Sequence, residues 1–193
     1  MLRWNTGALE WAAYLEHHQL YYRLAEALSR GETDIGVAPY VSELTNPYDP
    51  TLREATGLDF KWDHAYYHGR YYVYFGVVPV LLFYLPFYLL TGRHLPHVDC
   101  VFLLGGLLMA GIAWLLWQIV RRWFPRTPYV LFLLLSTVTG AASYLGYAVY
   151  KPDLYLVPIL TGIVCGVWGL AFWIGAQGKE EYSAWRLGAG SLC

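Results

Sequence analysis

The sequence predicts an all-α polytopic membrane protein with a small outer-face loop region that contains a β-hairpin. Three observations carry this prediction: long uncharged runs in the second half of the chain, a tyrosine-rich stretch broken by His68 and Gly69, and a basic cluster between two of the runs. The composition agrees, because 57% of the 193 residues are hydrophobic and 14% are charged. Soluble domains carry about 25% charged residues.

Charged residues are concentrated at the start of the chain. Residues 1–70 hold ten of the 14 acidic groups and six of the 13 basic ones. The net charge of −1 argues against a nucleic-acid partner, because binding nucleic acid requires a basic face. Cys100, Cys165 and Cys193 have no metal-type spacing, so we expect inert thiols.

The expected extracytoplasmic region, residues 1–76, begins with an amphipathic helix. Apolar residues at helical spacing predict this helix over residues 9–30. Glycine favours the left-handed conformation that ends many helices, so Gly31 is the expected cap. Glu26 and Arg30 lie four residues apart with the acid first, and we expect them to form an ion pair.

A short helix and a hairpin complete this region. Asp49 is the expected N-terminal cap of the helix, and Pro50 suits its first position. Residues 62–75 are rich in tyrosine, which favours strands, and His68-Gly69 predicts a tight hairpin turn. Because tyrosine buries its ring and keeps its hydroxyl hydrated, such a hairpin fits a membrane–water interface.

The next apolar stretch, residues 77–91, is expected to form a juxtamembrane or interfacial helix. If the hairpin forms, a helix over residues 77–90 covers about 21 Å. That length is less than the hydrocarbon core of about 30 Å, so the helix does not cross alone. If the hairpin does not form, residues 71–90 are long enough to span, and the sequence leaves both alternatives open.

Three transmembrane helices are expected in residues 98–178, followed by a cytoplasmic tail at residues 179–193. The predicted helices are residues 98–120, 127–149 and 154–177. Arg121, Arg122 and Arg126 form the strongest basic loop of this half, which indicates a cytoplasmic position for that loop.

Small residues in the first two predicted spans are expected to let helices pack closely. They are Gly105, Gly106, Gly111, Gly140, Ala141 and Ala142. No ionisable residue occurs in the middle of a predicted span, which argues against an ion channel or a proton-coupled transporter.

Two stretches of the outer region resemble a known family. They are Asn46-Pro47-Tyr48-Asp49-Pro50 and residues 62–79. Both are similar to the first outer loop of bacterial GT-C-type membrane glycosyltransferases, relatives of the protein mannosyltransferases that use polyprenyl-phosphate sugars. The family begins with a spanning helix and has many more spans. The resemblance therefore implies an N-terminal fragment, without the first span, in the bacterial plasma membrane.

The resemblance implies inverting transfer of a sugar from a polyprenyl-phosphate donor to an acceptor on the outer face of the membrane. Asp63 and His64 are the candidate catalytic residues, because a carboxylate activates an acceptor hydroxyl. The candidate substrate-binding residues offer aromatic rings for the sugar and, in Arg70, a donor for phosphate. They are Trp62, Tyr66, Tyr67, Arg70, Asp153 and Tyr155. A divalent metal is compatible with this chemistry, although the sequence indicates no ligand set.

One departure from the family bears on activity. The family usually has an acidic residue shortly before the Tyr-Tyr pair of its loop helix, where this chain has His18 and Gln19, and Glu16 is the nearest carboxylate. We therefore expect the 193-residue chain to be inactive alone, and whether it belongs to an enzyme stays open. The alternative is a non-catalytic integral membrane scaffold or assembly protein, in which Asp63 and Arg70 pair across the hairpin.

Overall fold

The computed structural model describes residues 20–36, 44–46, 48–55, 64–143, 145–150, 152–177 and 182–193. Helix predominates in these residues, and the strands form a two-stranded sheet. The chain divides into two compact units, Met1–Leu95 and Pro96–Cys193, and each is described separately.

The first described helix, α1 (Leu20–Ser29), is amphipathic and buries one face. It ends where the sequence predicts, because Gly31 adopts a left-handed φ of 77°. The Gly31 amide donates to the Leu28 carbonyl at 3.0 Å, and the Glu32 amide donates to the Ala27 carbonyl at 2.9 Å. These two bonds satisfy carbonyls that the helix end would leave unpaired. The earlier part of the predicted helix, residues 9–19, lies outside the described residues.

The prediction of an ion pair between Glu26 and Arg30 is wrong. Glu26 Oε1 lies 3.1 Å from Nε2 of His94, which follows the apolar helix of this unit, and Arg30 Nε donates to Glu32 Oε2 at 3.0 Å. A tertiary neighbour and a loop neighbour therefore replace the helical pair, whose intrinsic stabilisation is only about 0.2–0.5 kcal/mol.

The second helix, α2 (Pro50–Ala55), begins as predicted at a capping aspartate. Asp49 Oδ1 accepts hydrogen bonds from the Thr51 amide at 2.9 Å and from the Thr51 hydroxyl at 2.7 Å. A side-chain oxygen at this position satisfies an amide that has no partner inside the helix.

The predicted hairpin is confirmed. Strands β1 (Ala65–Tyr67) and β2 (Arg70–Tyr72) pair antiparallel, with Tyr67 opposite Arg70. The two turn residues, His68 and Gly69, have φ angles of 47° and 77°. Positive φ at both central residues is the signature of the type I′ turn, whose twist matches that of the strands.

A loop segment after α1 lies along the free edge of β2. The Ile35 amide donates to the Tyr71 carbonyl at 2.9 Å, and the Tyr71 amide donates to the Gly36 carbonyl at 3.0 Å. Both backbone polar groups of Tyr71 are thus satisfied, and the edge is partly covered. This contact fixes the hairpin to the loop that follows α1.

The apolar stretch after the hairpin begins with a π-helical segment, Val80–Tyr84, and continues as α3 (Leu85–Thr91). The Leu85 amide bonds the Val80 carbonyl in the i→i+5 pattern. Pro86 has no amide to donate, so the change of pattern comes just before a residue that cannot continue the regular helical hydrogen bonding. The combined helix, Val80–Thr91, is shorter than a membrane-crossing helix.

Two long helices dominate the second unit, α4 (His97–Trp123) and α7 (Leu156–Ala176). By length and composition both are able to cross a membrane. They pack in parallel, because contacts advance along both helices in the same direction. The Trp168 indole donates to the Leu107 carbonyl at 2.9 Å, and further along Gln118 Nε2 donates to the Ala171 carbonyl at 2.6 Å.

The chain between them returns through two shorter helices, α5 (Tyr129–Ala142) and α6 (Leu145–Tyr150). The prediction of one helix over residues 127–149 is therefore wrong. Ser143 interrupts it, since its hydroxyl donates to the Gly140 carbonyl at 2.6 Å and its amide bonds the same carbonyl at 3.2 Å. Serine side chains that bond the preceding turn compete with continuation of a helix.

Three of the small residues expected at helix contacts are found there. Gly105 faces Leu145, Gly111 faces Trp168 and Gly140 faces Met109. The other three, Gly106, Ala141 and Ala142, are exposed. Close approach at the three glycines explains why α4 contacts α7 on one side and α5 and α6 on another.

The end of the chain, within the expected tail at residues 179–193, forms a helix. Helix α8 (Ala184–Leu192) folds back along α7, and Arg186 Nη1 donates to the Gly175 carbonyl at 2.5 Å. Further along, a Cβ on Gly190 would lie 2.9 Å from the Gly169 carbonyl oxygen. Glycine at both positions lets the two backbones approach closely.

Candidate functional site

Six of the eight site residues predicted from the sequence are described. They are His64, Tyr66, Tyr67, Arg70, Asp153 and Tyr155. Trp62 and Asp63, together with the alternative carboxylate Glu16, lie outside the described residues. The candidate site is therefore built here from the hairpin and its neighbours in the first unit.

One face of the hairpin, which we call the Tyr71 face, consists of His64, Tyr66, Tyr71 and Tyr48. Tyr66 and Tyr71 lie opposite each other in the strand register, with ring centroids 5.9 Å apart. The His64 ring lies 5.9 Å from the Tyr71 ring, and the Tyr48 ring lies 5.4 Å from the Tyr66 ring. Tyr71 is only 3% exposed, so this face anchors the hairpin.

The opposite face, which we call the Tyr67 face, consists of Tyr67, Arg70 and Asp34. Adjacent strand residues point to opposite faces, so the Tyr67 side chain lies on the opposite face of the hairpin from the Tyr66 side chain. Its cross-strand partner, Arg70, lies on the same face as Tyr67. Arg70 Nη1 donates to Asp34 Oδ2 at 2.6 Å. Tyr67 is 57% exposed, and with the His68 ring 4.0 Å away and nearly perpendicular to its own ring, part of the Tyr67 side chain stays accessible to a ligand.

The Asp34–Arg70 pair sets the electrostatics of this face. The hydrogen bond from Arg70 lowers the pKa of Asp34 below its ordinary value of 3.8, and the Gly36 amide adds to this effect through its bond to Oδ1. The same pair raises the pKa of Arg70. Because the carboxyl pKa is depressed on folding, the pair stabilises the fold above pH 3.8, and this contribution is lost as the pH falls through the lowered pKa.

Asp34 is a site residue that the sequence does not indicate. It lies 36 positions before Arg70, and its local signal is only that of an aspartate bonding the backbone two residues later in a turn. Two residues that were predicted to lie together, His64 and Arg70, are also separated. His64 belongs to the Tyr71 face and Arg70 to the Tyr67 face.

Asp153 and Tyr155 lie in the second unit, in the turn before α7. The Asp153 carbonyl accepts the Leu156 amide at 3.1 Å. The Asp153 side chain is half-buried, and its Oδ1 has no hydrogen-bond partner among the described residues. This carboxylate is therefore tied to the helix start through its backbone, and its side chain retains capacity to accept a bond.

Metal ligation is not indicated by the part of the chain that the structure describes, since no three His, Cys, Asp or Glu side chains there form a group suited to a metal ion. Its cysteines, Cys100, Cys165 and Cys193, are free thiols. The chemistry available in the first unit is thus ring stacking at Tyr67 and charge-assisted hydrogen bonding by Asp34 and Arg70.

No protein-family model, curated protein or solved structure matches this chain.

Proposed function

We propose that the chain is part of a bacterial, multi-pass membrane glycosyltransferase and that its Tyr67 face recognises the sugar of a polyprenyl-phosphate donor. The carrying observation is the accessible Tyr67 ring beside the Asp34–Arg70 ion pair. The resemblance of residues 46–50 and 62–79 to the family's first outer loop supports the proposal, and so does the hairpin that these residues form.

The chemistry of the face suits a carbohydrate. The C–H surface of a sugar ring packs on an aromatic ring, and the sugar hydroxyls both donate to a carboxylate and accept from a guanidinium. Arg70 is 52% exposed and keeps donors beyond the one used by Asp34, whose side chain is 13% exposed. The pair thus offers an acceptor and several donors held in a fixed geometry.

The transfer step itself would use Asp63 as general base. In that step the acceptor oxygen bonds the anomeric carbon, the bond from that carbon to the phosphate oxygen breaks, and the acceptor proton moves to the carboxylate. Arg70 would stabilise the charge on the leaving phosphate. The family that the chain resembles has many more spans, and we expect the 193-residue chain to bind the donor without turnover.

Embedding in a membrane is supported by helix surfaces as well as by helix lengths. On α5, Val130, Leu134 and Val138 are exposed and lie four residues apart, so they share one face. An apolar face that no described residue of its own unit covers suits contact with lipid. Two helices long and apolar enough to cross a membrane flank this segment.

A second candidate function is favoured by the same ion pair. Arg70 already has a carboxylate partner, so the hairpin has a structural use for it that needs no ligand. In this candidate the chain is a non-catalytic membrane assembly protein, and its tyrosines anchor it among lipid headgroups.

The two candidates differ in whether a sugar is bound. We expect the full chain in lipid nanodiscs to bind a short-chain polyprenyl-phosphate hexose more tightly than the same polyprenyl phosphate without sugar. Tyr67→Ala should weaken binding of the hexose compound by about three- to tenfold, the usual effect of losing one aromatic contact. Calorimetry of the purified protein measures both affinities.

Tyr74→Ala is the matched control, because Tyr74 is 59% exposed but lies beyond the end of β2. It should leave the affinity within twofold. Equal affinity for the two polyprenyl phosphates, or equal losses in Tyr67→Ala and Tyr74→Ala, would contradict sugar recognition and favour the assembly protein.

A further inference from the structure

A basic pocket lies at the shared C-terminal end of α4 and α7. Its cavity volume is about 360 Å³, near the lower end of the 300–1,000 Å³ typical of small-ligand sites. Gln177, at the end of α7, lines it, and the other polar and aromatic side chains come from α4 and α8. They are Trp114, Trp117, Gln118, Arg121, Arg122 and Arg186.

The charge of this pocket is uniformly positive among the described residues. Three of its lining residues are arginines, and none of the described residues that line it is acidic. The arginines are held in place by other contacts: Arg122 Nη1 donates to the Gln177 carbonyl at 2.8 Å, and the Arg121 guanidinium lies 5.5 Å from the centre of the Trp117 ring. Three cations concentrated in one cavity attract an anion.

Capping of helix ends explains only part of this arrangement. Arg122 and Arg186 each bond one carbonyl near the end of α7, a common role for basic residues there. A guanidinium has five N–H donors, however, so most of them are not used in this way. The Nε atom of Arg186 is buried and has no hydrogen-bond partner among the described residues. A buried donor of this kind requires an acceptor.

Gly175 leaves room for two side chains of the pocket wall, Gln118 and Arg186. A Cβ on Gly175 would overlap Gln118 Oε1 and would lie 3.3 Å from Arg186 Nη1. The pocket also combines its arginines with two tryptophan rings, Trp114 and Trp117. Tryptophan prefers the headgroup level of a bilayer, and basic pockets between membrane helices bind anionic headgroups.

We propose that this pocket binds a phosphate group, supplied by the headgroup of an anionic phospholipid, with Arg186 and Arg121 as the principal donors. Guanidinium groups match phosphate oxygens in a paired, planar geometry. The lipid source follows from the position of the pocket at the end of two helices able to span a membrane, and it rests on the proposed membrane embedding.

The test measures lipid adducts on the full chain in detergent by native mass spectrometry. Short-chain phosphatidylglycerol is compared with phosphatidylcholine of the same chain length. We expect the wild type to retain at least about tenfold more phosphatidylglycerol than phosphatidylcholine. Arg186→Gln should retain about tenfold less phosphatidylglycerol than the wild type, which is the usual effect of losing one charge-assisted hydrogen bond. Arg121→Gln should behave similarly, whereas Arg121→Lys should keep part of the binding because the charge remains.

Arg126→Gln is the matched control. Arg126 follows α4 and belongs to the same basic loop, but it does not line this pocket. It should change retention by less than twofold. The helical circular dichroism of each variant must match the wild type, and Arg186→Lys provides a second, milder variant if Arg186→Gln fails to fold.

Several results would overturn the proposal. One is equal retention of the two lipids by the wild type, and another is an equal loss in Arg126→Gln, which would indicate diffuse charge attraction. A third is phosphatidylglycerol binding that appears only after Glu180→Gln and Glu181→Gln, because the arginines would then have carboxylate partners in the native chain.

Competition identifies the source of the phosphate. Inorganic phosphate in large excess should displace little phosphatidylglycerol if the acyl chains contribute, and full displacement would assign the same site to soluble phosphate. This outcome is independent of the sugar experiment. If the chain retains phosphatidylglycerol through its arginines but does not bind the sugar donor, the proposed function is refuted and the lipid site stands.

Discussion

His68 and Gly69 are the residues whose backbone conformation determines the hairpin. Both have positive φ, which most residues other than glycine adopt only at a cost. The short strands on either side contribute three residues each, so little else compensates for an unfavourable turn. Histidine is among the residues that tolerate this conformation better than β-branched ones do.

Gly69→Val should therefore destabilise the hairpin. A β-branched residue at a φ of 77° costs about 1–2 kcal/mol, which corresponds to a roughly five- to thirtyfold larger open population. The Tyr71 amide, bonded to the Gly36 carbonyl, reports this opening in hydrogen exchange. Gly76→Val is the control, because Gly76 is exposed, has no neighbour near a Cβ and has no positive φ. Unchanged exchange in Gly69→Val would show that the turn does not hold the strands.

Residue predictions succeeded where the determining chemistry is local. Gly31, Asp49 and the His68-Gly69 turn each depend on the conformational preference of one or two residues. The partner of Arg70 was not predictable in this way, because Asp34 reaches it only through the loop that pairs with β2. The periodicity of hydrophobic residues and the secondary-structure propensities of single residues contain no information about such a tertiary contact.

Among the elements, the contact of α4 with α7 depends on one glycine. Gly111 has no side chain, so the Trp168 indole and Val167 can approach the α4 backbone. The same approach allows the Trp168 indole to reach the Leu107 carbonyl. A polar group bonded in this way inside an apolar interface fixes the relative position of the two helices.

Gly111→Ala should separate the two helices. The added Cβ would lie 2.7 Å from Trp168 Nε1 and 3.1 Å from Val167 Cγ1, and overpacking of this kind costs about 1–3 kcal/mol. The midpoint of unfolding in a detergent titration should fall accordingly. Gly106→Ala on the same helix should be neutral or slightly stabilising, because nothing lies near its Cβ and alanine favours helix. Similar midpoints for the two variants would remove Gly111 as a packing determinant.

At this scale the sequence predicted the existence of the helices better than their continuity. Residues 127–149 are uncharged throughout, so no charge marks the interruption at Ser143. The break depends on which carbonyl the serine hydroxyl bonds, and apolar periodicity does not register that choice. The fold-back of α8 was missed for a related reason, because its determinants are close contacts of Gly169 and Gly190 across two helices.

At the scale of the whole molecule, the two ends of the second unit differ, and a labelling experiment can determine which end faces the outside of the cell. Because α4 and α7 are parallel, their C-terminal ends and the basic residues there lie on one side, and the turn at Asp153 lies at the opposite end of α7. In a variant with Cys100, Cys165 and Cys193 replaced by serine, Arg126→Cys should resist an impermeant thiol reagent added to intact cells. Asp153→Cys should react. Labelling at position 126 from outside would reverse the proposed orientation.

The candidate site was only partly accessible to sequence analysis. Tyr67 and Arg70 were predicted as substrate-binding residues, and the hairpin register brings them to one face. Tyr66 and His64 were predicted beside them, but strand alternation directs them to the other face, toward Tyr71. A list of residue types cannot distinguish the two faces until the turn fixes the register.

The parallel pairing of α4 and α7 also has a consequence for synthesis of the chain. The Trp168–Leu107 hydrogen bond joins positions 61 residues apart. At about 5–20 residues per second, a ribosome delivers Trp168 roughly 3–12 s after Leu107. During that interval the surface at Gly111 lacks its α7 partner, and α4 contacts only the helices made before α7. The chain therefore passes through a nascent state in which the α4 surface at Gly111 is exposed, and chaperones and proteases compete for that state before the two helices pair.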